Sequence, residues 1–351
     1  GDITRDLDID QRRIGHHRLA QQALETLSEE NRQRLQAYAD GVNAYKNSCR
    51  ALPFEYRFIP ITFDDWTVLD CLTLLSFQTW FSNALMDRDD FYMDLVDKVG
   101  PDKARSLVIP YPDWAPSTTQ SIDAIGCLPA KSLPESGRLP RSTTELNPGS
   151  TGSIYQHFQT EVVDNLLNGS GIPLTMTQSS NGWVVAPHRS TSGAAMLASD
   201  PHLELTRLPQ FWYAAAVHVK QDSIDVLGIT TPGLPTFIMG HNGQAAWAFT
   251  SGGVDVTEYY LEEVNPDDTN QYLTPEGWRD FDIIHDSVLI SNLDSFVHVS
   301  FRQTIHGPVV EDADQEDRLY SFHWAGFDID MNRSVTSAFE LHRVRTFEQF
   351  R

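Results

Sequence analysis

The first third of the chain carries the hydrophobic pattern of amphipathic helices. From Arg18 to about Ser48, apolar residues recur at steps of three and four positions, at Leu35, Tyr38, Val42 and Tyr45. Ser28 stands directly before Glu29 and Glu30, an arrangement typical of a helix start.

Two further helices are predicted before residue 110. One begins at Thr67, because Asp70 completes a Thr-x-x-Asp capping pattern. Another ends near Gly100, which is followed by Pro101. We therefore expect residues 1–109 to form a mainly helical region.

The composition changes after this region. Between about Pro110 and Gly171 the chain is rich in Pro, Ser, Thr and Gly, as in PYPDWAPSTTQS and LPESGRLPRSTTELNPGSTGS. Such a segment buries little apolar surface. Residues 110–179 are therefore predicted to be a linker or an exposed insertion, with one short helical candidate, FQTEVVDNLL.

Residues 180–351 have the pattern of strands. After Trp183, β-branched and aromatic runs such as FWYAAAVHV, IDVLGI, YYLEEV and VHVSF alternate with turns made of Pro, Gly, Asn and Asp. The close spacing of these runs predicts antiparallel sheets, so the fold class is α+β.

Composition excludes several kinds of protein. The 40% hydrophobic and 11% aromatic content is that of a globular protein. A formal net charge of −22, with no cluster of Lys and Arg, makes nucleic acid an unsuitable partner. No run approaches the roughly 18 uninterrupted apolar residues of a membrane span.

The cysteines and the chain ends give little information about the function. Cys49, Cys71 and Cys127 lack metal-binding spacing, which leaves room for one disulfide, and Cys71 lies in an apolar run where a small buried hydrophobe is expected. Because the chain begins at Gly1 and stops at Arg351 within a helical pattern, we expect it to be a fragment.

The stretch TQSSNGWVV, residues 177–185, raises the question of chemistry. A serine nucleophile needs a base, yet the sequence contains no Gly-x-Ser-x-Gly elbow. A serine at a chain terminus has its own base, since the α-amino pKa is roughly 7.7 to 8.0. A removable linker that ends just before such a serine is consistent with this design.

The stretch from Ser180 to Trp183 resembles the Ser-Asn-x-Trp start of the catalytic β chain in the penicillin acylase (penicillin amidase) family of N-terminal nucleophile hydrolases. Other family blocks follow in the same order, and they are similar to SDPHL at 199–203, GHNGQAAWAFT at 240–250 and HGPVV at 306–310. YADGVNAY at 38–45 resembles the signature of the family's helical α chain.

The resemblance implies a fold and a mechanism. The fold would be an αββα sandwich of two antiparallel sheets, preceded by a helical α-chain region. Cleavage of the Ser179–Ser180 bond would make Ser180 the nucleophile and its amine the general base, with Ser179 the competing nucleophile if the register slips by one. The backbone N–H of Ser251 would be one oxyanion donor, and a second donor would lie beyond Arg351.

Three histidine and asparagine positions receive roles. By resemblance, His202 flanks the substrate amide and helps to orient the amine, the alternative being a histidine that packs in a turn. His241 and Asn242 are interpreted as structural residues that close a turn before Trp247.

The resemblance also implies one Ca²⁺ ion, held by Asp255, Glu258, the Thr257 carbonyl and Asp87 from the helical chain. Oxygen donors from both chains suit calcium, and the ion would hold the cut chains together. Asp87 and Glu258 replace the Glu and Asp of well-known relatives. A solvated loop or an ion pair is the alternative.

The acyl pocket would draw on Phe77 and Phe81, one helical turn apart, with Leu203 across from them, although plain core packing explains the same spacing. The predicted function is a self-processing amidohydrolase acting on an amide such as a β-lactam side chain, an acyl-homoserine lactone or a lipopeptide tail. Its α and β chains would form a heterodimer, and relatives suggest a periplasmic or secreted location. The alternative is an unprocessed binding or envelope protein.

Overall fold

The computed structural model describes residues 5–53, 56, 63–82, 95–96, 98–107, 179–203, 211–250, 256–290, 295–311 and 319–351. The predicted linker therefore lies outside the described residues except for Ser179, which is the first residue of a strand. Within the described ranges, no helix is long and apolar enough to cross a membrane.

Helices make up the first part of the chain. They are α1 (Arg5–Ile14), α2 (His16–Thr26), α3 (Glu29–Ser48), α4 (Val68–Phe81) and α5 (Pro101–Leu107). Two more lie near the end of the sequence, α6 (Met331–Leu341) and α7 (Phe347–Phe350), after a short 3-10 helix at Ala325–Asp328.

The predicted helix starts are confirmed by their caps. The Ser28 side chain accepts from the N–H of Asn31, and Thr67 and Asp70 form a reciprocal capping box. The apolar run that began at Arg18 is interrupted, because Leu27 adopts an extended conformation between α2 and α3. Gly100, with φ of 80°, ends the helical residues before α5.

The second part consists of antiparallel strands, as predicted. They are β1 (Ser179–Val185), β2 (Met196–His202), β3 (Tyr213–Val219), β4 (Ile224–Thr230), β5 (Phe237–His241), β6 (Ala246–Trp247), β7 (Thr257–Glu262), β8 (Gln271–Thr274), β9 (Gly277–Asp280), β10 (Asp282–Ile290), β11 (Ser295–Gln303), β12 (Val309–Glu311) and β13 (Leu319–Trp324).

These strands form one four-stranded sheet, β3-β4-β5-β6, and one three-stranded sheet, β12-β13-β7. Three two-stranded ribbons accompany them, β1-β2, β8-β9 and β10-β11. Helices followed by antiparallel sheets confirm the α+β class.

The core joins the two parts of the chain. One cluster packs α2, α3 and α4 against α6 and includes the fully buried Leu72 together with Met331 and Val335. A second cluster packs Trp80 of α4 against β13, where the Trp80 and Trp324 rings meet edge to face at 5.1 Å between centroids. The helical region and the sheets therefore share apolar surface.

Cys71 is a buried member of this core, as its sequence context predicted. Burial raises the pKa of its thiol to about 11, so the group is uncharged. Cys49 and Cys71 are both free thiols, and Cys127 lies outside the described residues.

Candidate active site

The candidate nucleophile lies on the ribbon of β1 and β2. These strands are antiparallel, with Ser180 opposite Pro201 and Gly182 opposite Ser199. Side chains alternate along a strand, and directly opposed residues share a face. Ser180, Gly182 and Ser199 therefore belong to one face, the serine face.

The other face of the ribbon, the histidine face, carries Asn181, Asp200 and His202. His202 Nε2 lies 3.0 Å from Asp200 Oδ2 and 3.3 Å from Asn181 Nδ2. An ionised carboxylate only accepts hydrogen bonds, so Nε2 carries the proton and donates to Asp200, while the Asn181 amide nitrogen, itself a donor, is only in contact with Nε2. In the neutral ring, Nδ1 is then the basic nitrogen.

This pair orients a side chain more than it stabilises the fold. The side chains of Asp200 and His202 are 61% and 41% exposed, and an ion pair in water contributes little to stability. Sequence reasoning named His202 and missed Asp200 and Asn181. Side chains alternate between the two faces of a strand, so residues two positions apart, such as Asp200 and His202, lie on one face. This alternation was the signal that could have identified Asp200.

The serine face is bounded by the end of the GHNGQAAWAFT block. A Cβ placed on Gly182 would stand 3.4 Å from Thr250 Cγ2. Ser251, the predicted oxyanion donor, follows Thr250 but lies outside the described residues. The structure thus brings the residue before the predicted donor next to the strand of Ser180.

The turn after β5 has the structural role expected for Asn242. Its side-chain oxygen accepts from the N–H groups of Gln244 and Ala245 at 3.0 and 2.9 Å. Its amide nitrogen donates to the carbonyls of His342 and Val344 at 3.1 and 2.7 Å. His241 is exposed at the end of β5.

The aromatic residues proposed for the acyl pocket lie together on α4. The ring centroids of Phe77 and Phe81 are 6.1 Å apart. Phe81 stacks on Phe211 at 5.0 Å, a residue that sequence reasoning missed because nothing in its local sequence indicates its partner. Leu203 directly follows β2 and is half-buried.

A buried histidine adjoins this aromatic group. The ring of His16 meets Phe77 edge-on at 5.7 Å, and its nitrogens lie 2.9 Å from Ser76 Oγ and 3.0 Å from Gln11 Oε1. Burial, with a smaller contribution from the Arg18 charge, lowers the pKa of His16 to about 4. His16 is therefore neutral near pH 7 and serves as a hydrogen-bonded packing residue.

Another serine, histidine and carboxylate meet around His306, the first residue of the HGPVV block. His306 Nδ1 lies 2.9 Å from Glu262 Oε1, and Ser321 Oγ donates to the same carboxylate oxygen. The carboxylate stands between the other two groups, whereas a nucleophilic triad requires the histidine in that place. This cluster is therefore a structural one, and His306 also stacks on Tyr260 at 3.8 Å.

Half of the predicted calcium ligands can be placed. Thr257 is buried and Glu258 exposed at the start of β7, while Asp87 and Asp255 lie outside the described residues. Within the ranges that the structure describes, no group of three or more His, Cys, Asp or Glu side chains is arranged to hold a metal ion. The exposed Glu258 carboxylate, three residues after Asp255 in the sequence, is a donor of the type calcium prefers.

Comparisons with known proteins found related sequences and a similar solved structure. A sequence profile described as penicillin amidase matches residues 1–351. The penicillin acylase 2 proenzyme of Pseudomonas sp. (strain SE83) is 29% identical over 86% of this chain and 36% of its own length. The acyl-homoserine lactone acylase QuiP of Pseudomonas aeruginosa is 24% identical over 90% of this chain and 35% of its own length.

A solved structure of a thermostable penicillin G acylase from Alcaligenes faecalis matches with a TM-score of 0.44 and 24% identity, over 49% of this chain and 30% of that chain. The chain spans 36% and 35% of the two curated relatives. Because the profile extends over all 351 residues, the chain belongs to the penicillin amidase family.

Proposed function

We propose that this protein is a self-processing acylase that hydrolyses a linear carboxamide through an acyl-enzyme on Ser180. The observation that carries the proposal is the position of Ser180 on β1, with Gly182 next to Thr250 on one face and His202 held by Asp200 on the other. Membership of a family whose curated relatives are named acylases supports an amide as the substrate.

Maturation would begin with attack of Ser180 Oγ on the carbonyl carbon of Ser179. The peptide C–N bond breaks, an ester forms on Oγ, and the Ser180 nitrogen becomes a free amine. Water then hydrolyses the ester and leaves a carboxylate on Ser179. This sequence creates a nucleophile and its base on one residue.

In turnover, the amine of Ser180 takes the proton from Oγ as Oγ attacks the substrate carbonyl. The tetrahedral intermediate collapses, the leaving nitrogen takes up a proton, and the acyl group remains on Oγ as an ester. Water, deprotonated by the same amine, releases the acid. Backbone donors such as the proposed N–H of Ser251 stabilise the oxyanion, and His202 helps to orient the amine.

The acyl group is proposed to be an arylacetyl group or a moderately long acyl chain. Phe77, Phe81 and Phe211 offer apolar aromatic surface, and Leu203 adds an aliphatic side chain at the end of β2. The names of two relatives, a penicillin acylase and an acyl-homoserine lactone acylase, support an acyl group as the transferred part of the substrate.

We also propose one calcium ion held by Asp87, Asp255, Glu258 and the Thr257 carbonyl. When bound, the ion would stabilise the association of the two chains produced by the cut and take no part in acyl transfer. The expected product is an αβ heterodimer, and export to the periplasm or the medium is part of the same proposal.

The test is the intact mass, under denaturing conditions, of protein expressed from the complete reading frame, beside a Ser180→Ala control. Two fragments in the wild type, one starting at Ser180, with an uncut control, would support the mechanism. A folded wild-type protein that stays uncut would contradict it and favour an unprocessed binding protein. Ser179 keeps that alternative open, because a side chain before the cut restricts the backbone more than glycine would.

A further inference from the structure

We infer that Ser199 is a further substrate-binding residue of the acyl-transfer site, whose hydroxyl donates a hydrogen bond to the carboxamide attacked by Ser180. The inference rests on the proposed function and extends it. Ser199 lies on β2, directly opposite Gly182, and so belongs to the serine face.

The first observation is that the hydroxyl has no partner. Ser199 Oγ is one of two side-chain atoms, with Thr231 Oγ1, that are buried without a hydrogen bond within the described part of the chain. Buried hydroxyls are nearly always paired, and an unpaired one destabilises the fold. Because an unpaired buried hydroxyl lowers stability, the Ser199 hydroxyl is a candidate for hydrogen bonding to a ligand.

The second observation is its relation to Ser180. Ser180 is opposite Pro201, so Ser199 is its diagonal neighbour on the same face. Diagonal neighbours in antiparallel strands have Cβ atoms about 7 Å apart. A carboxamide can therefore lie between them, with its oxygen about 3 Å from the Ser199 hydroxyl and its carbon about 3 Å from the Ser180 hydroxyl, the geometry that a reacting carbonyl needs.

The third observation is the space between the two hydroxyls. Gly182 separates them along the face and has no side chain, and a Cβ there would already be 3.4 Å from Thr250 Cγ2. The missing side chain of Gly182 therefore leaves space between the two hydroxyls, with the Thr250 methyl group at its edge. A carboxamide placed between the two hydroxyls would accept a hydrogen bond from Ser199 while presenting its carbon to Ser180.

The experiment uses the protein expressed from its complete reading frame, with benzylpenicillin and an N-decanoyl-homoserine lactone as probes. Ser199→Ala should mature normally, melt at the same or a higher temperature because an unpaired hydroxyl is removed, and lose about tenfold to a hundredfold in kcat/KM. Ser199→Cys keeps the shape but donates weakly, so its kcat/KM should also be low with native melting.

The matched control is Ser192→Ala, which removes an exposed hydroxyl already bonded to Ser190 at 2.7 Å and should leave kcat/KM unchanged. Full activity in Ser199→Ala, or a loss that accompanies a lower melting temperature in both Ser199 variants, would overturn the inference. A wild-type protein that is uncut and inactive would instead overturn the proposed function itself.

Discussion

Asn31 and Asn332 are joined side chain to side chain, with Nδ2 of the first 2.9 Å from Oδ1 of the second. The same Nδ2 lies 3.0 Å from the Asn332 carbonyl and 2.7 Å from Thr336 Oγ1. Asn31 is 1% exposed, so this polar contact is buried between α3 and α6.

Replacing Asn31 by Ala should lower the free energy of unfolding by about 2–4 kcal/mol, because partly buried acceptors on Asn332 and Thr336 lose their donor. Urea unfolding measures the change. Gln36→Ala, which removes an exposed side chain on the same helix bonded to Asp40, should change it by no more than about 0.5 kcal/mol. Equal effects of the two substitutions would contradict this account.

Replacing Asp200 by Asn should lower kcat/KM by about tenfold to a hundredfold, less than the loss of a general base itself. The reason is that an amide can donate as well as accept a hydrogen bond, so it no longer holds the His202 proton on Nε2. Nitrogen NMR of the imidazole should show the proton redistributed between the two ring nitrogens, while the melting temperature stays unchanged.

The matched control for Asp200 is Asp225→Asn, which alters an exposed carboxylate 3.6 Å from His218 on another sheet. It should leave kcat/KM at the wild-type value. An Asp200→Asn enzyme of full activity, or one with an unchanged His202 tautomer, would show that the pair on the histidine face does not position the ring.

Stability should rise with pH between about 4 and 6.5 because of His16 and His342, whose buried rings have pKa values of about 4. In this pH window the two histidines are protonated in the unfolded chain but remain neutral in the folded protein. Lowering the pH therefore favours unfolding. The stabilisation is complete above the unfolded pKa of 6.5 and is lost as the pH falls towards 4.

For His16 this difference is worth on the order of 3 kcal/mol. His16→Gln should therefore flatten the dependence of unfolding free energy on pH, and adding His342→Gln should flatten it further. Denaturant unfolding at several pH values checks the result. A double variant with the wild-type slope would refute the assignment.

Gly307→Ala should destabilise the protein by about 2–4 kcal/mol. Gly307 has φ of 143°, and an added Cβ would be 2.1 Å from the Phe322 carbonyl oxygen. Gly193 also has positive φ, at 71°, but open space around it. Gly193→Ala should cost only the conformational part, about 1 kcal/mol. Thermal unfolding of both variants separates the destabilisation caused by the steric clash at Gly307 from the destabilisation caused by a positive φ alone.

The local sequence was sufficient to predict a structural feature where the contacts that determine the feature are themselves local. The capping box of Thr67 and Asp70 and the alternating strands after Trp183 needed only neighbouring residues. The stacking of Phe81 on Phe211 and the burial of Asn31 depend on contacts across more than a hundred positions, which no local pattern encodes. The break at Leu27 lies between these cases, since Ser28 indicated the new helix but not the end of the old one.

The register of β1 and β2 has a consequence for the proposed cut. Only the pairing of Ser179 with His202 lies before the Ser179–Ser180 bond, and the pairs from Ser180 with Pro201 to Val185 with Met196 all lie after it. Chain ends usually fray, but this new N-terminus would remain paired with the neighbouring strand β2. Amine and hydroxyl would then face the substrate at a high effective concentration, because folding has already removed their freedom to diffuse.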